Sequence, residues 1–256
     1  MHDHLTPSSA KTVVITGGTK GIGLDITSAF VSAGYHVFVG ARTTPISSDF
    51  PSSAHFVETD VRFESDVFHL VSTAFKQTGR LDVLINNAGF SEWKSIENIT
   101  EAFLLNIMQT NLFSAFWGCK AAVSFMSPHG CIINISSMAG KRGSSNNSAY
   151  VASKFAMNGL TQSLCKELGS RGIRVNGLCP VLISTPGLIQ ALTNSESPSA
   201  GSDPHLFISA FSQQNSALGR MPTGSEVASA CLYLASDQAT AITGQNINLD
   251  CGVFPQ

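Results

Sequence analysis

The chain has 256 residues, of which 43% are hydrophobic and 12% charged, and its formal net charge is −2. This length allows one large α/β domain or two small ones, and the near-neutral charge indicates neither nucleic-acid binding nor a polybasic membrane surface. The six cysteines are widely spaced and show no metal-binding pattern, which predicts reduced thiols and no metal. The segment 1–10 lacks the features of a signal peptide, and no stretch is apolar enough to span a membrane, so we expect a cytoplasmic protein.

Short apolar runs alternate along the chain with longer helix-like segments. The runs predict strands at 11–16, 36–41, 55–59, 81–86, 130–136, 173–179 and 245–250. The longer segments predict helices near 21–33, 63–78, 101–126, 148–170 and 224–236. Strands that are apolar on both faces are typical of a parallel sheet. The pattern therefore predicts a doubly wound parallel α/β sheet, as a single domain over 1–256.

One segment interrupts this alternation. Residues 193–204 are small and polar, and they separate two amphipathic pieces at 187–192 and 205–218. A long insertion of this kind is typical of a lid over a site or of a plain surface loop. We favour a substrate lid near 186–218.

A glycine-rich turn follows the first predicted strand. Gly17, Gly21 and Gly23 lie in "VVITGGTKGIG", where the strand gives way to a helix. Glycines let the backbone approach a pyrophosphate, and the helix N-terminus offers unpaired N–H groups to phosphates. The spacing differs from the commoner G-x-G-x-x-G, and glycines alone would also fit a structural turn. The strand–turn–helix context favours dinucleotide binding.

The end of the second strand distinguishes the two nicotinamide dinucleotides. In "VGARTT", Ala41 stands about where a carboxylate would bind the ribose of NAD, and Arg42 follows it. Lys20, inside the glycine turn, adds a second cation. Two cations without a carboxylate favour the 2′-phosphate of NADP(H). The alternative is that Arg42 is a solvated loop charge.

Polar residues also follow the third and fourth strands. The Asp60 carboxylate would either cap the next helix or accept a hydrogen bond from an adenine amino group. The small residues of "NNAG", at 86–89, would let the chain pass close to a flat cofactor. Asn86 would equally well tie neighbouring strands together.

Tyr150 and Lys154 share one face of a predicted helix because they are four residues apart. A nearby ammonium would lower the pKa of the Tyr150 phenol and make it a general acid/base. Taken alone, such a pair is most often a surface pair. Two other residues favour a reactive site: Ser137 lies at the carboxyl edge of the fifth strand, where ligands bind in such sheets, and Asn111 is a polar residue within an apolar helix.

With these motifs the chain resembles the classical short-chain dehydrogenase/reductase (SDR) family. The resemblance covers residues 11–252 and rests on "TGGTKGIG", "NNAG", "TNLFSAF", "INISS", "YVASK", "IRVNGLCP" and "ITGQNINLD", in the family's order and spacing. It implies a Rossmann-like fold and an NADP(H)-dependent carbonyl reductase or alcohol dehydrogenase. In that family, hydride passes between the nicotinamide and the substrate carbon.

The resemblance also implies a role for each site residue. Tyr150 would be the general acid/base, and Ser137 would hydrogen-bond the substrate oxygen. Lys154 would bind the nicotinamide ribose and tune Tyr150, while Asn111 would hold a water of the proton relay. The predicted cofactor-binding residues are Gly17, Thr19, Lys20, Gly21, Ile22, Gly23, Arg42, Asp60, Val61, Asn87, Ala88, Gly89, Tyr150, Lys154, Pro180, Ile183 and Thr185.

The chain departs from the family's pattern at two places. Val181 follows Pro180 where the family has Pro-Gly, in a loop that touches the nicotinamide. Its bulk and restricted φ put the shape of the pocket in doubt. Cys251 replaces a glycine of the family's "DGG", which bears on subunit packing more than on chemistry. Ile183 and Thr185 occupy positions that usually hold the carboxamide.

The residues predicted to face the substrate are Ser137, Met138, Phe90, Trp93, Val181 and Leu182. Their apolar character favours a nonpolar or cyclic small-molecule substrate, although Phe90 and Trp93 would fit a plain core equally well. A sugar derivative, a polyketide-type ketone and an acyl-carrier thioester are the alternatives.

The sequence thus leads to an NADP(H)-dependent oxidoreductase, with two alternatives. One is an NAD-dependent dehydrogenase of the same fold, and the other is a cofactor-binding regulatory or scaffold protein without turnover. The resemblance further implies a homodimer or homotetramer, paired through the helices at 101–126 and 148–170.

Overall fold

The computed structural model describes residues 9–45 and 48–255. Residues 1–8, which belong to the segment without signal-peptide features, lie outside the described part of the chain. Within the described ranges, all seven predicted strands form, and they pair in parallel in one sheet. The strands are Thr12–Thr16 (β1), His36–Ala41 (β2), His55–Glu58 (β3), Val83–Asn86 (β4), Cys131–Ile135 (β5), Arg174–Pro180 (β6) and Asn246–Leu249 (β7).

The order of the strands confirms the doubly wound, Rossmann-like sheet. It runs β3-β2-β1-β4-β5-β6-β7, so the direction of winding reverses between β1 and β4. In open α/β sheets the ligand crevice lies outside the carboxyl ends of the strands, at this reversal point. The fold therefore places the glycine turn after β1 and the "NNAG" segment at β4 on the two sides of one crevice.

Helices cover both faces of the sheet, because the strands are apolar on both faces. The described helices are Gly21–Ser32 (α1), Glu64–Thr78 (α2), Glu101–Met108 (α3), Ser114–Val123 (α4), Ser148–Leu168 (α5), Pro186–Leu192 (α6), Pro204–Asn215 (α7) and Gly224–Ala235 (α8). On one face, Val13 and Ile15 of β1 pack with α1 and α8. On the other, Val14 packs with α2, α4 and the end of α5. Successive residues of β1 thus enter different cores.

The helix predicted at 101–126 is helical throughout 101–123, three residues short of the predicted end, with one change of helix type inside it. A π-helical turn, Gln109–Phe113, separates α3 from α4, and α4 ends at Val123. Turns of this type are rare and often mark functional sites. Asn111 lies in this π-helical turn, and its side chain is fully buried.

The insertion near 186–218 contains α6 and α7, joined by a compact series of turns. Ser197 and Ser199 are buried in this connection, and both hydroxyls donate to the carbonyl of Leu192, at 2.8 and 2.5 Å. The connection is therefore a folded piece that packs on its own polar groups.

Among the residues described, no helix combines the length and apolar character that a bilayer crossing requires.

Candidate active site

The glycine turn after β1 forms a cradle that side chains would fill. Gly17 and Gly21 adopt positive φ angles of 69° and 54°, which favour glycine. A Cβ at Gly23 would lie 2.1 Å from the Gly17 carbonyl oxygen. The next residues open α1, whose N-cap residue, Lys20, makes no side-chain capping bond. The first N–H groups of α1 therefore remain available to an anion.

The end of β4 holds this turn in place. The Asn87 side-chain amide donates to the carbonyl oxygens of Thr16 and Gly17, at 3.1 and 3.0 Å. In return, the Thr16 hydroxyl accepts from the backbone N–H groups of Asn87 and Ala88, both at 3.1 Å. The two sides of the crevice are thus joined by four hydrogen bonds.

Asn86 has the structural role that was one of its two predicted alternatives. Its side-chain amide donates to Asn134 Oδ1 at 2.9 Å, and Asn134 donates in turn to the Thr161 hydroxyl at 2.9 Å. Since these three residues belong to β4, β5 and α5, a buried polar chain connects the strands to the helix that carries Tyr150.

At the outer end of the crevice, two cations lie where the 2′-phosphate of NADP(H) is predicted. Lys20 and Arg42 are exposed, line the cavity and make no ion pair among the described residues. Arg62 is a third cation on this wall, which sequence reasoning missed. The pattern Asp-x-Arg at 60–62 could have indicated it.

Asp60 does not cap the following helix, so that alternative is wrong. Its carboxylate accepts from the guanidinium of Arg62, which is the main cause of the lowered pKa of Asp60. Helix α2 begins four residues later, and its N-cap residue, Phe63, makes no side-chain capping bond. The adenine role of Asp60 stays a prediction.

Three of the four predicted catalytic residues meet at the carboxyl edge of β5. Ser137 follows this strand, and its Oγ accepts from the backbone N–H of Ala139 at 3.1 Å. The Ser137 hydroxyl also interacts with the phenol of Tyr150, in the first turn of α5, and this interaction acts to lower the pKa of the phenol. One turn later, the Lys154 ammonium donates to the Ile135 carbonyl at 2.8 Å and lies 5.7 Å from the centre of the Tyr150 ring.

Burial controls the protonation of this group. It raises the pKa of the Tyr150 phenol above its usual value, and the interaction with Ser137 offsets this only in part. Burial also lowers the pKa of Lys154 to about 8. The prediction that Lys154 lowers the Tyr150 pKa is therefore wrong for the protein alone. The reason is that loss of water destabilises both charged forms, and the ammonium is directed to a backbone carbonyl instead of the phenol.

Asn111, the fourth predicted catalytic residue, does not line the cavity. Its side chain accepts from the backbone N–H of Phe90 and donates to the Phe90 carbonyl, both at 3.0 Å. It also donates to the Ser153 hydroxyl at 3.3 Å, and Ser153 donates to the carbonyl of Tyr150 at 2.7 Å. The Asn111 side chain therefore connects the chain after "NNAG" to α5, and its role in holding a water of the proton relay stays a prediction.

Every other predicted cofactor- or substrate-binding residue lines one cavity of about 1270 Å³. The inner wall contains Trp93 and Met138, which are only 5% and 4% exposed. Phe90 and Trp93 both line this wall, and Trp93 is also part of the buried core, so for Trp93 the two predicted alternatives hold together.

The insertion supplies wall residues that the sequence analysis did not name. Leu188 of α6 and Phe207 and Phe211 of α7 line the same cavity. Phe207 and Phe211 are four residues apart on an amphipathic helix, and this spacing could have indicated that they share one face. Arg142 also lines the cavity and stacks on Phe254, 5.4 Å from the ring centre, a pairing that no local pattern indicates.

The two departures from the family's pattern have different consequences. Val181 has no positive φ angle, and its N–H donates to the Leu249 carbonyl at 3.2 Å, continuing the pairing of β6 with β7. The expected φ restriction therefore has no effect at this position. Cys251, in contrast, adopts a φ of 53°, a region that glycine tolerates best.

Thr185, predicted to hold the carboxamide, is the N-cap residue of α6. Its hydroxyl accepts from the Leu188 N–H at 3.2 Å. A Cβ at Gly21 would lie 3.3 Å from the Thr185 methyl carbon. The insertion thus begins in contact with the glycine turn.

Comparisons with known proteins agree with this architecture. The family model described as "Enoyl-(Acyl carrier protein) reductase" matches residues 17–254. The chain is 32% identical to a 3-oxoacyl-[acyl-carrier-protein] reductase of Chlamydia muridarum, over 95% of this chain and 97% of the relative. The chain belongs to the classical short-chain dehydrogenase/reductase family.

Two solved structures of SDR enzymes resemble this SDR over nearly their whole length. Thermoplasma acidophilum aldohexose dehydrogenase, in its ligand-free form, is 32% identical, with a TM-score of 0.87 over 95% of this chain and 94% of that one. A Serratia marcescens short-chain dehydrogenase/reductase is 27% identical, with a TM-score of 0.83 over 97% and 99%.

Membership makes this SDR an oxidoreductase of a family that uses nicotinamide cofactors. The residues present fit such a group. The glycine cradle leaves room for a pyrophosphate, the N-terminus of α1 lacks a capping side chain, and exposed cations lie beside it. Within the described residues, no three His, Cys, Asp or Glu side chains converge as metal ligands would.

Proposed function

We propose that this SDR is an NADP(H)-dependent carbonyl reductase that uses Tyr150 as its general acid. The observation that carries the proposal is that Ser137, Tyr150 and Lys154 line the same cavity as the glycine turn. Both hydroxyls lie outside the carboxyl end of β5, where a substrate oxygen would be accessible to them.

The chain's own residues would hold the substrate oxygen and supply the proton. A nicotinamide dinucleotide, when bound, supplies the hydride. The Ser137 Oγ accepts a bond from Ala139 N–H and keeps one O–H group, which would be donated to a carbonyl oxygen when the substrate is bound. Tyr150 would protonate that oxygen as the alcohol forms. Lys154 extends from the same helix face and would bind the ribose.

The raised pKa of Tyr150 favours the direction of reduction. A phenol whose pKa is raised by burial remains protonated at neutral pH, as a proton donor must. Alcohol oxidation would instead require the phenolate at the start of the reaction. The protonated phenol therefore fits the role of general acid in carbonyl reduction.

Tyr150→Phe tests the chemistry. It removes only the hydroxyl, so we expect ketone reduction to fall by at least about a hundredfold, the usual range for a general acid, while NADPH binding is retained. Tyr233→Phe is the matched control, because Tyr233 is exposed on α8. Reduction at the wild-type rate by Tyr150→Phe would contradict the mechanism. Cofactor binding without turnover of any carbonyl compound by the wild type would support the scaffold alternative.

Lys20 and Arg42 support the preference for NADP(H) over NAD(H). Ala41, at the end of β2, has no carboxylate that could bind the ribose of NAD. Arg42→Ala should raise the KM for NADPH about tenfold to a hundredfold and leave that for NADH nearly unchanged, because a charge-assisted bond to the 2′-phosphate is lost. Lys76→Ala is the control, because it removes an exposed charge on α2 that does not line the cavity. A wild-type preference for NADH would refute this assignment and favour an NAD-dependent dehydrogenase.

The apolar wall favours a hydrophobic carbonyl substrate. Trp93, Met138, Phe207 and Phe211 offer hydrocarbon surface, which suits an acyl chain or ring ketone better than an aldose. The relatives carry names for both classes of substrate. A panel of 3-oxoacyl thioesters, cyclic ketones and aldoses, followed by NADPH absorbance, tests this choice. Highest turnover with an aldose would contradict it.

Pairing with a second copy through α4 and α5 also belongs to the proposal. Phe116 is 47% exposed and lines a groove of about 650 Å³ between these helices, and Phe155 of α5 is 46% exposed. Burial in a homodimer or homotetramer would remove this apolar surface from water. Light scattering that shows a monomer would refute it. The cytoplasmic location and the extent of the lid stay predictions from the sequence.

A further inference from the structure

Three connecting segments meet at the substrate end of the cavity. They are the lid segment, residues 193–199, the Trp93 loop, residues 91–98, and the α5 turn, residues 144–147. Each contributes to the cavity wall, yet the lid segment lies about a hundred positions from the Trp93 loop in sequence. Their relative positions therefore depend on the contacts between them.

Glu196 of the lid segment makes two short contacts of this kind. Its carboxylate accepts from the backbone N–H of Ser95 and from the side-chain amide of Asn98, both at 2.6 Å. The Ser95 hydroxyl lies 3.4 Å away as a further donor. Bonds of this length to an ionised acceptor are the stronger kind of hydrogen bond.

The lid segment is joined to the other two segments by further bonds. The Asn194 amide donates to the Trp93 carbonyl at 3.0 Å, and its Oδ1 accepts from the Glu196 N–H at 2.9 Å. The Asn146 amide donates to the Glu196 carbonyl at 3.0 Å. The α5 turn and the Trp93 loop are themselves linked, because Lys94 N–H donates to the Asn146 carbonyl at 2.6 Å. The three segments thus form a closed ring of bonds.

The ring includes groups that line the same cavity as the reactive residues. Trp93 is part of the inner wall, and the α5 turn leads directly into the helix turn that carries Tyr150. The charged groups near the Glu196 carboxylate include Lys94, which itself lies 3.8 Å from Glu92. Hydrogen bonds from Ser95 and Asn98 lower the pKa of Glu196, so the carboxylate is ionised at neutral pH.

We propose that Glu196 is a positioning residue that holds the lid segment against the Trp93 loop and the α5 turn, and thereby fixes the substrate wall formed by Trp93. It would affect substrate binding without touching the reacting atoms. The kinetic part of this proposal rests on the proposed carbonyl reductase function, but the structural part does not.

Glu196→Ala tests the proposal, with Glu97→Ala as the matched control. Glu97 is exposed in the same region and makes no hydrogen bond or ion pair among the described residues. We expect the KM for the best ketone of the panel to rise about fivefold or more, with kcat changed far less. Cofactor affinity should be unchanged. An equal fall of kcat in both variants, or no rise of KM in Glu196→Ala, would overturn the proposal.

Two measurements are independent of turnover. Hydrogen exchange at the Ser95 amide should be faster in Glu196→Ala than in the control, because its acceptor is lost. In a Trp117→Phe background, the emission of Trp93 should shift to longer wavelength as the wall admits water. If wild-type protein reduces no carbonyl compound, the proposed function fails, while these two measurements still decide the role of Glu196.

A double-mutant cycle with Asn98→Ala separates a specific contact from general destabilisation. Since Glu196 and Asn98 share one bond, the exchange rates and KM of the double variant should resemble those of Glu196→Ala alone. Additive effects would show that the two residues act separately and would overturn the ring of bonds as the cause.

Discussion

Substitution of Gly23 by alanine should damage both the stability of the fold and the binding of the cofactor. The added Cβ would lie 2.1 Å from the Gly17 carbonyl oxygen and 2.6 Å from Asn87 Nδ2. Both atoms belong to the bond by which Asn87 holds the turn, at 3.0 Å. Gly17 already adopts a positive φ. If the turn shifted to relieve the contact, Gly17 would have to leave this backbone conformation.

The magnitude follows from two losses and one gain. Overpacking costs about 1–3 kcal/mol, and losing a hydrogen bond costs about 1 kcal/mol. Replacing glycine within α1 regains about 0.5–1 kcal/mol. The net destabilisation is about 1–3.5 kcal/mol, which lowers the midpoint of thermal unfolding by roughly 2–14 °C for a chain of this size.

Thermal and urea unfolding without cofactor measure the first effect, and titration of NADPH by fluorescence measures the second. Gly143→Ala is the control, because a Cβ there meets nothing within 4 Å. We expect Gly23→Ala alone to weaken NADPH binding, by about tenfold or more, since the shifted turn no longer presents the α1 N–H groups. If both variants unfold at the same midpoint, the close approach that underlies this reasoning does not exist.

Three further substitutions test other parts of the structure. Asn111→Ala leaves the N–H and carbonyl of Phe90 without partners and should lower the free energy of unfolding by about 2–4 kcal/mol in urea titrations. Cys251→Gly should be about 1 kcal/mol more stable than Cys251→Ala, because only glycine relieves the φ of 53°; equal stability would contradict this. Burial lowers the Lys154 pKa from 10.5 to about 8, so between these pH values the unfolded chain binds more protons. The stability of the wild type relative to Lys154→Met should therefore rise with pH across that window and stay constant below it.

Local sequence patterns predicted the parts of the site that depend on strand ends and helix spacing. The positions of Ser137, Tyr150 and Lys154 follow from the rule that parallel strands end at one edge and from the four-residue spacing on α5. The glycine turn could be placed in the same way. The seven strands were also predictable, because each is a short apolar run.

Properties that depend on tertiary packing could not be predicted in this way. The direction in which the Tyr150 pKa shifts depends on the burial of its phenol, and the neighbouring residues in the sequence do not reveal that burial. Asn111 lies in the π-helical turn at 109–113, does not line the cavity, and has Phe90 as its hydrogen-bond partner. Val181 does not disturb the backbone because its N–H donates to Leu249 of β7, a strand that is distant in sequence.

The pairing of Asp60 with Arg62 has a consequence for the rate at which cofactor arrives. Arg62 pairs with the Asp60 carboxylate on this wall, and Arg42 also interacts with it, so the three cations Lys20, Arg42 and Arg62 outnumber this carboxylate and leave a net positive charge. A positive field at the mouth of a crevice accelerates the diffusional encounter with a polyanion. The association rate of the dinucleotide should therefore fall steeply as salt shortens the screening length to about 10 Å or less.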